Sequence, residues 1–343
     1  MSFTPGSDEE TDSHLMLAQL VCPACRVPLR QTEAGFDCPQ CAKRYVRRQG
    51  ILSFVETGEE FNVGEFEGKQ KSAWNSTASL RLKIRENSFL SFLNKVRIRF
   101  SLSGRRDRLF LKEMSGGSKD RLILDLGCGG GRHYFTNYGR VIGIDPVLEL
   151  LQLSAKLYDE VYHCGGFRLP FADESFDYVV STDVLGHILP ADKNLIFDEI
   201  FRVLKKGGRT AHLIETDSTN YWFRLARQYP ELFQKYFIDL PGHVGLELPT
   251  DLRARFLRHG FKEVRFGKLA SNLAELGTLD ACFGGEFRKK SALIRGLVGV
   301  DGLLAKCIFI REPLHFVMEP LAILDDWITP LDHGCGVLVV FEK

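Results

Sequence analysis

The segment Leu122-Ile-Leu-Asp-Leu-Gly-Cys-Gly-Gly-Gly-Arg132 limits the fold of this chain more than any other part of it. Five residues predict a buried strand that contains one carboxylate, Asp125, and glycines follow at positions 127, 129 and 131. Such a loop lets a ligand lie against the backbone, because no side chains stand in the way. A glycine loop at the carboxyl end of a buried strand is typical of α/β sheets that bind ligands at that edge.

Strand and helix patterns alternate after this loop. Apolar runs predict further strands at residues 140–145, 161–164, 176–182, 209–215, 261–266 and 336–341, and an amphipathic helix covers 194–204. The Lys-Lys-Gly-Gly segment at 205–208 is expected to end that helix. Strands separated by helix-length segments predict a parallel sheet with right-handed crossovers.

Two classes of ligand compete for the glycine loop. A dinucleotide needs Gly-x-Gly-x-x-Gly, which sets the pyrophosphate at a helix N-terminus. Here the last of those positions is Arg132, and the Asp125 carboxylate would repel a pyrophosphate. The same carboxylate favours a positively charged sulfonium nucleoside such as S-adenosylmethionine (SAM). Asp145 ends the second strand and could bind both ribose hydroxyls, or it could cap a helix ahead of Pro146.

These segments together resemble the class I SAM-dependent methyltransferases. Residues 124–132 resemble motif I of that class and 141–145 its second motif. Residues 169–188 resemble the "LPF…SFD…VLEHI" stretch of the small-molecule branch, with Gly186 in place of its glutamate. The turn at 203–208 and the segment 242–261 also match. The resemblance covers 120–267 plus the closing strand. It implies a Rossmann-like α/β fold with a seven-stranded sheet whose last strand is antiparallel.

The resemblance also implies roles for individual residues. The glycine loop would line the methionine half of SAM, and Asp145 would hold the ribose. The family usually places an aspartate on the adenine amino group where this chain has Gly165, so backbone amides and Phe167 are expected to bind adenine. Thr182 and the next two residues would close over the methionine. The SAM-binding residues predicted in this way are Asp125, Gly127, Gly129, Gly131, Asp145, Gly165, Phe167 and Thr182.

One histidine is a candidate for catalysis. Methyl transfer needs a base only when the acceptor must lose a proton. His187 follows the fourth strand of the predicted sheet, near the expected acceptor, and it fits either a base or a structural histidine. His243, in the predicted lid, has a weaker claim to the same role.

Residues 15–58 predict a zinc ribbon. Cys22 and Cys25 form one Cys-x-x-Cys pair, Cys38 and Cys41 form another, and twelve residues separate the pairs. Two such turns can complete a tetrahedral structural Zn²⁺ site, and the metal would supply most of the folding energy of so short a segment. Four free or redox-active thiols are the alternative. The segment resembles the zinc-ribbon activator of tRNA and rRNA methyltransferases and the zinc unit of guanine-N1 methyltransferases acting on ribosomal RNA.

The rest of the chain divides around these two units. Residues 1–14 predict a disordered tail, 59–115 a basic helical linker, and 116–343 the methyltransferase domain with helical lids or insertions at 216–260 and 268–334. Residues 69–121 hold fourteen Lys or Arg and four Asp or Glu. The basic-apolar segment 80–100 could contact RNA or the surface of a membrane, or it could pack on the next domain as a solvated amphipathic helix.

Composition limits the remaining classes. The formal net charge is +1, so the whole chain has no bias toward a polyanion. The sequence predicts no transmembrane segment and no signal peptide. We also expect a cytoplasmic location, because the other five cysteines are scattered singly and do not form a disulfide framework. Three functions stay open: a methyltransferase for a small-molecule, glycan or lipid-precursor acceptor, an RNA methyltransferase, and a non-catalytic partner protein that resembles a methyltransferase.

Overall fold

The structure is a computed structural model that describes residues 17–55, 92, 105–115, 118–272 and 278–343. The predicted tail at 1–14 lies outside the described residues, as does most of the predicted linker at 59–115. The basic-apolar segment 80–100 is outside them too, apart from residue 92. Among the helices that the structure does describe, none is both long enough and apolar enough to cross a bilayer.

Eleven strands form a single sheet in the order β1-β2-β3-β4-β7-β6-β5-β8-β9-β11-β10. The four strands of the cysteine-rich unit are β1 (Arg30–Thr32), β2 (Gly35–Asp37), β3 (Arg44–Arg48) and β4 (Ile51–Ser53). The remaining seven are β5 (Leu122–Leu126), β6 (Arg140–Asp145), β7 (Glu160–His163), β8 (Phe176–Thr182), β9 (Leu204–Glu215), β10 (Lys262–Leu269) and β11 (Gly336–Glu342). Strand β11 runs antiparallel to both β9 and β10, as the sequence predicted for the last strand.

The predicted count of seven strands is wrong for the sheet as a whole. Strands β5 to β11 have the expected arrangement, but β4 pairs in parallel with β7, so the cysteine-rich unit continues the sheet. Without it β7 would be an edge strand with unpaired backbone groups, and covering such an edge is a common way to stabilise a sheet. The ribbon and the larger unit also share one apolar core, in which Tyr45 and Phe54 pack with Tyr162 and Phe171.

Helices cover both faces of the sheet. One face packs against α1 (Arg105–Met114) and α2 (Leu148–Ser154). The other packs against α3 (Lys193–Val203) and against α6 (Pro249–Arg258), which follows two helices and a π-helical turn described below. The apolar residues that face the sheet are buried, as Phe110 and Phe256 illustrate. This three-layer arrangement is the one that alternating strands and helices predict.

Two local predictions need correction or sharpening. Helix α3 ends at Val203, but residues 205–208 then belong to β9 instead of a separate glycine turn. Between β5 and β6 the structure has only the three-residue 3₁₀ turn Phe135–Asn137. The glycine loop therefore leads into no α-helix whose N-terminus could bind a pyrophosphate.

A helical cap rises from the carboxyl edge of the sheet, where β9 and β10 end. It contains α4 (Tyr221–Arg227), α5 (Pro230–Phe233), the π-helical turn Gln234–Asp239, α7 (Thr278–Phe283), α8 (Ala292–Lys306) and α9 (Ile308–Ile328). Its own small core is aromatic, with Phe223, Phe237, Phe283 and Phe287 in mutual contact. The two predicted helical insertions thus form one cap above the edge where α/β sheets bind ligands.

Candidate cofactor and acceptor site

The glycine loop lies between the ends of β5 and β8. Gly127, Gly129 and Gly131 have φ values of +67°, +51° and +80°, in the left-handed region that favours glycine. At Gly127 the approach is close as well, since a Cβ there would lie 2.7 Å from a methyl of Val184. The loop therefore needs these glycines for its own conformation. In that conformation the backbone faces the carboxyl edge of the sheet, where α/β sheets bind ligands.

Asp125 stabilises the glycine loop through a hydrogen bond with Tyr158. Its carboxylate is 2% exposed, and its Oδ2 accepts a hydrogen bond of 2.6 Å from the Tyr158 hydroxyl. That hydroxyl in turn accepts the backbone N–H of Arg132 at 2.6 Å. The predicted direct contact between Asp125 and the methionine half of SAM stays a prediction. Tyr158 escaped the sequence analysis because nothing in a pattern shows that it reaches under the loop.

Asp145 joins the glycine loop to the end of β6. Its Oδ2 accepts the N–H of Gly129 and its Oδ1 accepts the N–H of Val147, both at 2.8 Å. Helix α2 starts after Val147, so Asp145 is not its N-cap residue. A carboxylate oxygen has two lone pairs, so each oxygen can also accept a hydroxyl hydrogen. This placement suits the predicted grip on a ribose.

The next strand ends at the position expected for adenine. Residues 164–167 follow β7, and a Cβ added at Gly165 would meet nothing within 4 Å. Phe167 is half-buried and packs against the main core. The site therefore has open space beside Gly165 and an aromatic ring, that of Phe167, two residues further along the chain. Residues 164–167 contain no carboxylate side chain.

The end of β8 forms the opposite side of the loop. The Thr182 hydroxyl is buried and has no hydrogen-bond partner in the part of the chain that the structure describes. Asp183 has a left-handed backbone (φ +58°) and forms ion pairs with Arg106 of α1 and, at 3.5 Å, with Arg132 of the glycine loop. Burial would raise the pKa of Asp183, but the two arginines outweigh it and hold that pKa below its usual value. Arg106 lies in the predicted basic linker, and sequence reasoning gave it no role.

The acceptor side of the site contains two histidines and a glutamate. His187 and His243 have ring centroids 5.1 Å apart, and His243 Nε2 is 3.9 Å from Glu215 Oε1. Burial lowers the pKa of both histidines, that of His243 to about 4, so both are neutral at pH 7. Burial, together with the charge of Asp183, raises the pKa of Glu215 to about 8. Glu215 lies at the end of a predicted strand, and only its contacts show that it belongs to the site.

The part of the chain that contains the glycine loop matches a known protein family. Residues 124–211 match the family described as "Methyltransferase domain". The match begins in β5, before the glycine loop, and ends in β9, so it includes the turn of Thr182 and Asp183. By sequence, the stretch from β5 to β9 is therefore similar to a methyltransferase domain.

Relatives of the methyltransferase domain differ in the acceptors that their names state. "Probable tRNA methyltransferase 9B" of Bos taurus is 34% identical over 106 residues, which is 30% of this chain and 23% of that protein. Ubiquinone/menaquinone biosynthesis C-methyltransferase UbiE of Stenotrophomonas maltophilia is 32% identical over 117 residues, 33% of this chain and 40% of that protein. The crystal structure of YcgJ from Bacillus subtilis covers 68% of this chain and 96% of its own at 17% identity, with a TM-score of 0.43. The chain therefore spans about a quarter of the tRNA methyltransferase and two fifths of the quinone methyltransferase.

SAM binding to the methyltransferase domain should depend on pH through Asp145. Burial raises the pKa of this carboxyl to about 6. Hydroxyl donors favour the ionised form, so SAM binding should lower that pKa, and affinity should fall as the pH drops below about 6. Calorimetric titration with SAM between pH 5 and 7 measures this. An Asp145→Asn variant, which has no carboxyl to titrate, should show a flatter profile, and a flat profile in the unaltered protein would contradict the assignment.

The cysteine-rich unit packs against β7, the strand that precedes Gly165. One sulfur from each of Cys22, Cys25, Cys38 and Cys41 lies within 4.8 Å of the others, and the sulfurs of Cys22 and Cys41 are 3.7 Å apart. A tetrahedral Zn²⁺ with Zn–S distances of about 2.3 Å places its sulfurs roughly 3.8 Å apart, so the four thiols fit this ion. Tyr45 adds a hydrogen bond of 3.2 Å between its hydroxyl and the Cys22 sulfur.

Proposed function

We propose that this chain binds SAM and transfers its methyl group to an acceptor held beneath the helical cap. The observation that supports this proposal is that two loops, the glycine loop and the turn after β8, lie side by side. The glycine loop with Asp145 supplies a place for the nucleoside, and the turn at Thr182 and Asp183 separates it from His187 and the cap. The buried Thr182 hydroxyl, without a partner among the described residues, is a polar group that a bound ligand would satisfy.

The domain accelerates transfer mainly by orientation. The sulfonium is already an activated leaving group, so the site must align the acceptor in line with the methyl carbon and keep water away. When the acceptor has to lose a proton, His187 is the candidate base. Its Nδ1 lies 2.9 Å from the Gly242 carbonyl, which can only accept, so the proton sits on Nδ1 and Nε2 is the basic nitrogen.

For the acceptor we favour a small molecule or a glycan or lipid precursor with an apolar part. A cleft of about 180 Å³ opens in the cap between α4 and α8, and Trp222, Tyr229 and Phe283 are among the side chains that line it. The outer surface of the cap is apolar too, with Trp327 81% and Leu303 71% exposed. Exposed apolar surface of this kind marks interaction with apolar partners. It suits a hydrocarbon-bearing acceptor better than a polyanion.

A second candidate is methylation of RNA. It is favoured by the similarity to a protein named as a tRNA methyltransferase and by the cysteine-rich unit. The basic segment that would hold RNA lies outside the described residues.

We further propose that Cys22, Cys25, Cys38 and Cys41 hold one structural Zn²⁺. Four thiolates saturate the ion and leave no position for a substrate, so its contribution would be to folding. Tyr45, by donating to the Cys22 thiolate, would stabilise its charge.

The test is to incubate the purified full chain with methyl-labelled SAM and cell extract, then separate RNA, lipid, glycan and small-molecule fractions. We expect nuclease-resistant label in the organic or small-molecule fraction, and about 10- to 100-fold less of it with the Asp145→Ala variant at low SAM concentration. Label that nuclease treatment releases would favour the RNA alternative. A chain that fails to bind SAM by calorimetry would contradict both enzymatic proposals and leave the non-catalytic one.

A further inference from the structure

Two histidines and a glutamate converge where the cap meets the sheet. His187 lies in the 3₁₀ turn Leu185–His187 after β8, Glu215 is the last residue of β9, and His243 belongs to the cap. One ligand atom from each lies within 4.8 Å of the others. All three residues are half-buried, so the cluster lies inside the site and not on an open surface.

The histidines are oriented in the same way. His187 Nδ1 is 2.9 Å from the carbonyl of Gly242, and His243 Nδ1 is 3.2 Å from the carbonyl of Phe237. Because a carbonyl can only accept, each Nδ1 carries the proton, and each Nε2 offers a lone pair. A backbone carbonyl that receives one ring N–H and fixes the other nitrogen as a ligand is the usual surrounding of a metal-binding histidine.

The glutamate has an oxygen that its surroundings do not satisfy. Glu215 Oε2 is buried, and no donor side chain reaches it in the described part of the chain. A Cβ at Gly186 would lie only 3.3 Å from this oxygen. Gly186 stands where the resembling family has the glutamate of "VLEHI", and the absence of a side chain there makes room for Glu215. Asp183 lies close enough to hydrogen-bond the Glu215 carboxyl when that group carries a proton, and a bound cation would take the place of that proton.

We propose that His187, Glu215 and His243 bind a divalent transition-metal ion beside the SAM pocket. Two imidazoles and one carboxylate suit Mn²⁺, Fe²⁺, Co²⁺ or Zn²⁺, and three protein ligands leave coordination positions open. Ligand atoms at about 2.0–2.2 Å from an ion are roughly 3–3.5 Å apart. The present 3.9 Å between His243 Nε2 and Glu215 Oε1 is somewhat longer than this spacing, so a bound ion would draw the two groups together.

The open positions would bind the acceptor, an inference that rests on the proposed methyl transfer. A metal-bound hydroxyl loses its proton to solvent near neutral pH because the cation lowers its pKa. The resulting oxygen attacks the methyl carbon of SAM. The carbon–sulfur bond breaks, its electron pair stays on sulfur, and the products are a methyl ether and S-adenosylhomocysteine. The acceptor class is therefore an oxygen nucleophile, most suitably one with a neighbouring oxygen that chelates the ion. In this arrangement His187 binds the metal and does not itself take the proton.

Titration of the full chain with Mn²⁺, followed by electron paramagnetic resonance, tests the site directly. The zinc of the cysteine-rich unit is left in place, since Mn²⁺ prefers oxygen and nitrogen ligands to thiolates. We expect about one Mn²⁺ per chain. Glu215→Gln, which keeps the shape of the side chain, and His243→Ala should each weaken Mn²⁺ binding roughly tenfold or more, because even outer partners of metal ligands have effects of that size.

His259→Asn is the matched control, since His259 Nδ1 also lies near a carboxylate, 2.9 Å from Asp198, but at the far end of α6. This variant should bind Mn²⁺ like the unaltered chain. The inference is overturned if the folded chain takes up neither Mn²⁺ nor Co²⁺, or if Glu215→Gln binds Mn²⁺ unchanged. SAM affinity is measured in parallel by calorimetry. A chain that binds SAM but no metal loses this inference alone, whereas loss of SAM binding counts against the proposed function.

Discussion

Replacing Asp145 with alanine is expected to weaken SAM binding about 10- to 100-fold. Hydrogen bonds to a charged group contribute about 1.5–3 kcal/mol, and each 1.4 kcal/mol is a factor of ten in affinity. The variant loses the acceptor for the ribose and also the bond that fixes Gly129 of the glycine loop. Isothermal titration with SAM measures the loss, and methyl transfer at low SAM concentration should fall in parallel.

Asp159→Ala is the control for this variant. The Asp159 carboxylate also accepts a backbone N–H of β6, that of Val141 at 2.7 Å, but at the opposite end of the strand and on an exposed side chain. It should cost some stability and leave SAM affinity unchanged. If Asp145→Ala bound SAM as tightly as the unaltered chain, the alignment of the second motif with β6 would be wrong.

The parts of the fold that sequence predicted are those where local pattern and tertiary structure agree. The amphipathic helix at 193–203 has a helical periodicity, whereas the strand before the glycine loop and the closing strand are apolar runs of strand length next to glycines. The glycines at 127, 129 and 131 were predicted from the need for an open backbone beside a ligand, and the structure adds a separate reason for glycine, since all three have positive φ.

The eleven-stranded sheet could not be predicted in the same way. Strand β4 has three residues, and only two of them, Leu52 and Ser53, pair with β7. No periodicity within three residues shows that a ribbon will dock on the edge of another unit. The contact depends on the shared core around Tyr45, Phe54 and Tyr162, which are far apart in sequence. Edge pairing is thus a tertiary property that local pattern does not encode.

The residues of the candidate site divide in the same way, into those that a local sequence pattern indicates and those that only tertiary structure brings together. Residues that belong to a loop motif were found, whereas Tyr158, Arg106 and Glu215 were missed because each enters from a different element. Arg106 lies on α1 and reaches Asp183, 77 positions later. Glu215 joins His187 and His243 only because β9 ends beside the turn after β8. Residues that support a site from a neighbouring element leave no spacing signal, so a structure is needed to find them.

The end of β7 connects the cysteine-rich unit to the place proposed for the nucleoside of SAM. His163, the last residue of β7, receives contacts from both units. Its Nδ1 is 2.9 Å from the Ser53 hydroxyl of β4, and its Nε2 is 3.0 Å from the carbonyl of Pro146, next to Asp145. Phe54 N–H donates to the His163 carbonyl at 2.8 Å. The cysteine-rich unit therefore supports the end of β7, beside the place proposed for the nucleoside.

Removing the zinc proposed for the cysteine-rich unit should consequently weaken SAM binding as well as unfold that unit. A structural Zn²⁺ site supplies about 10–16 kcal/mol of apparent binding free energy in small zinc units, more than the ribbon's small core can replace. Cys38→Ser should abolish the one zinc per chain measured by mass spectrometry and make residues 17–55 sensitive to protease. SAM affinity should fall roughly tenfold as the support of His163 is lost, about the effect of one charged hydrogen bond. Cys307→Ser, a half-buried cysteine of the cap, should keep both zinc and SAM affinity. Full SAM affinity in a zinc-free, protease-sensitive Cys38→Ser chain would show that the nucleoside pocket stands without the ribbon.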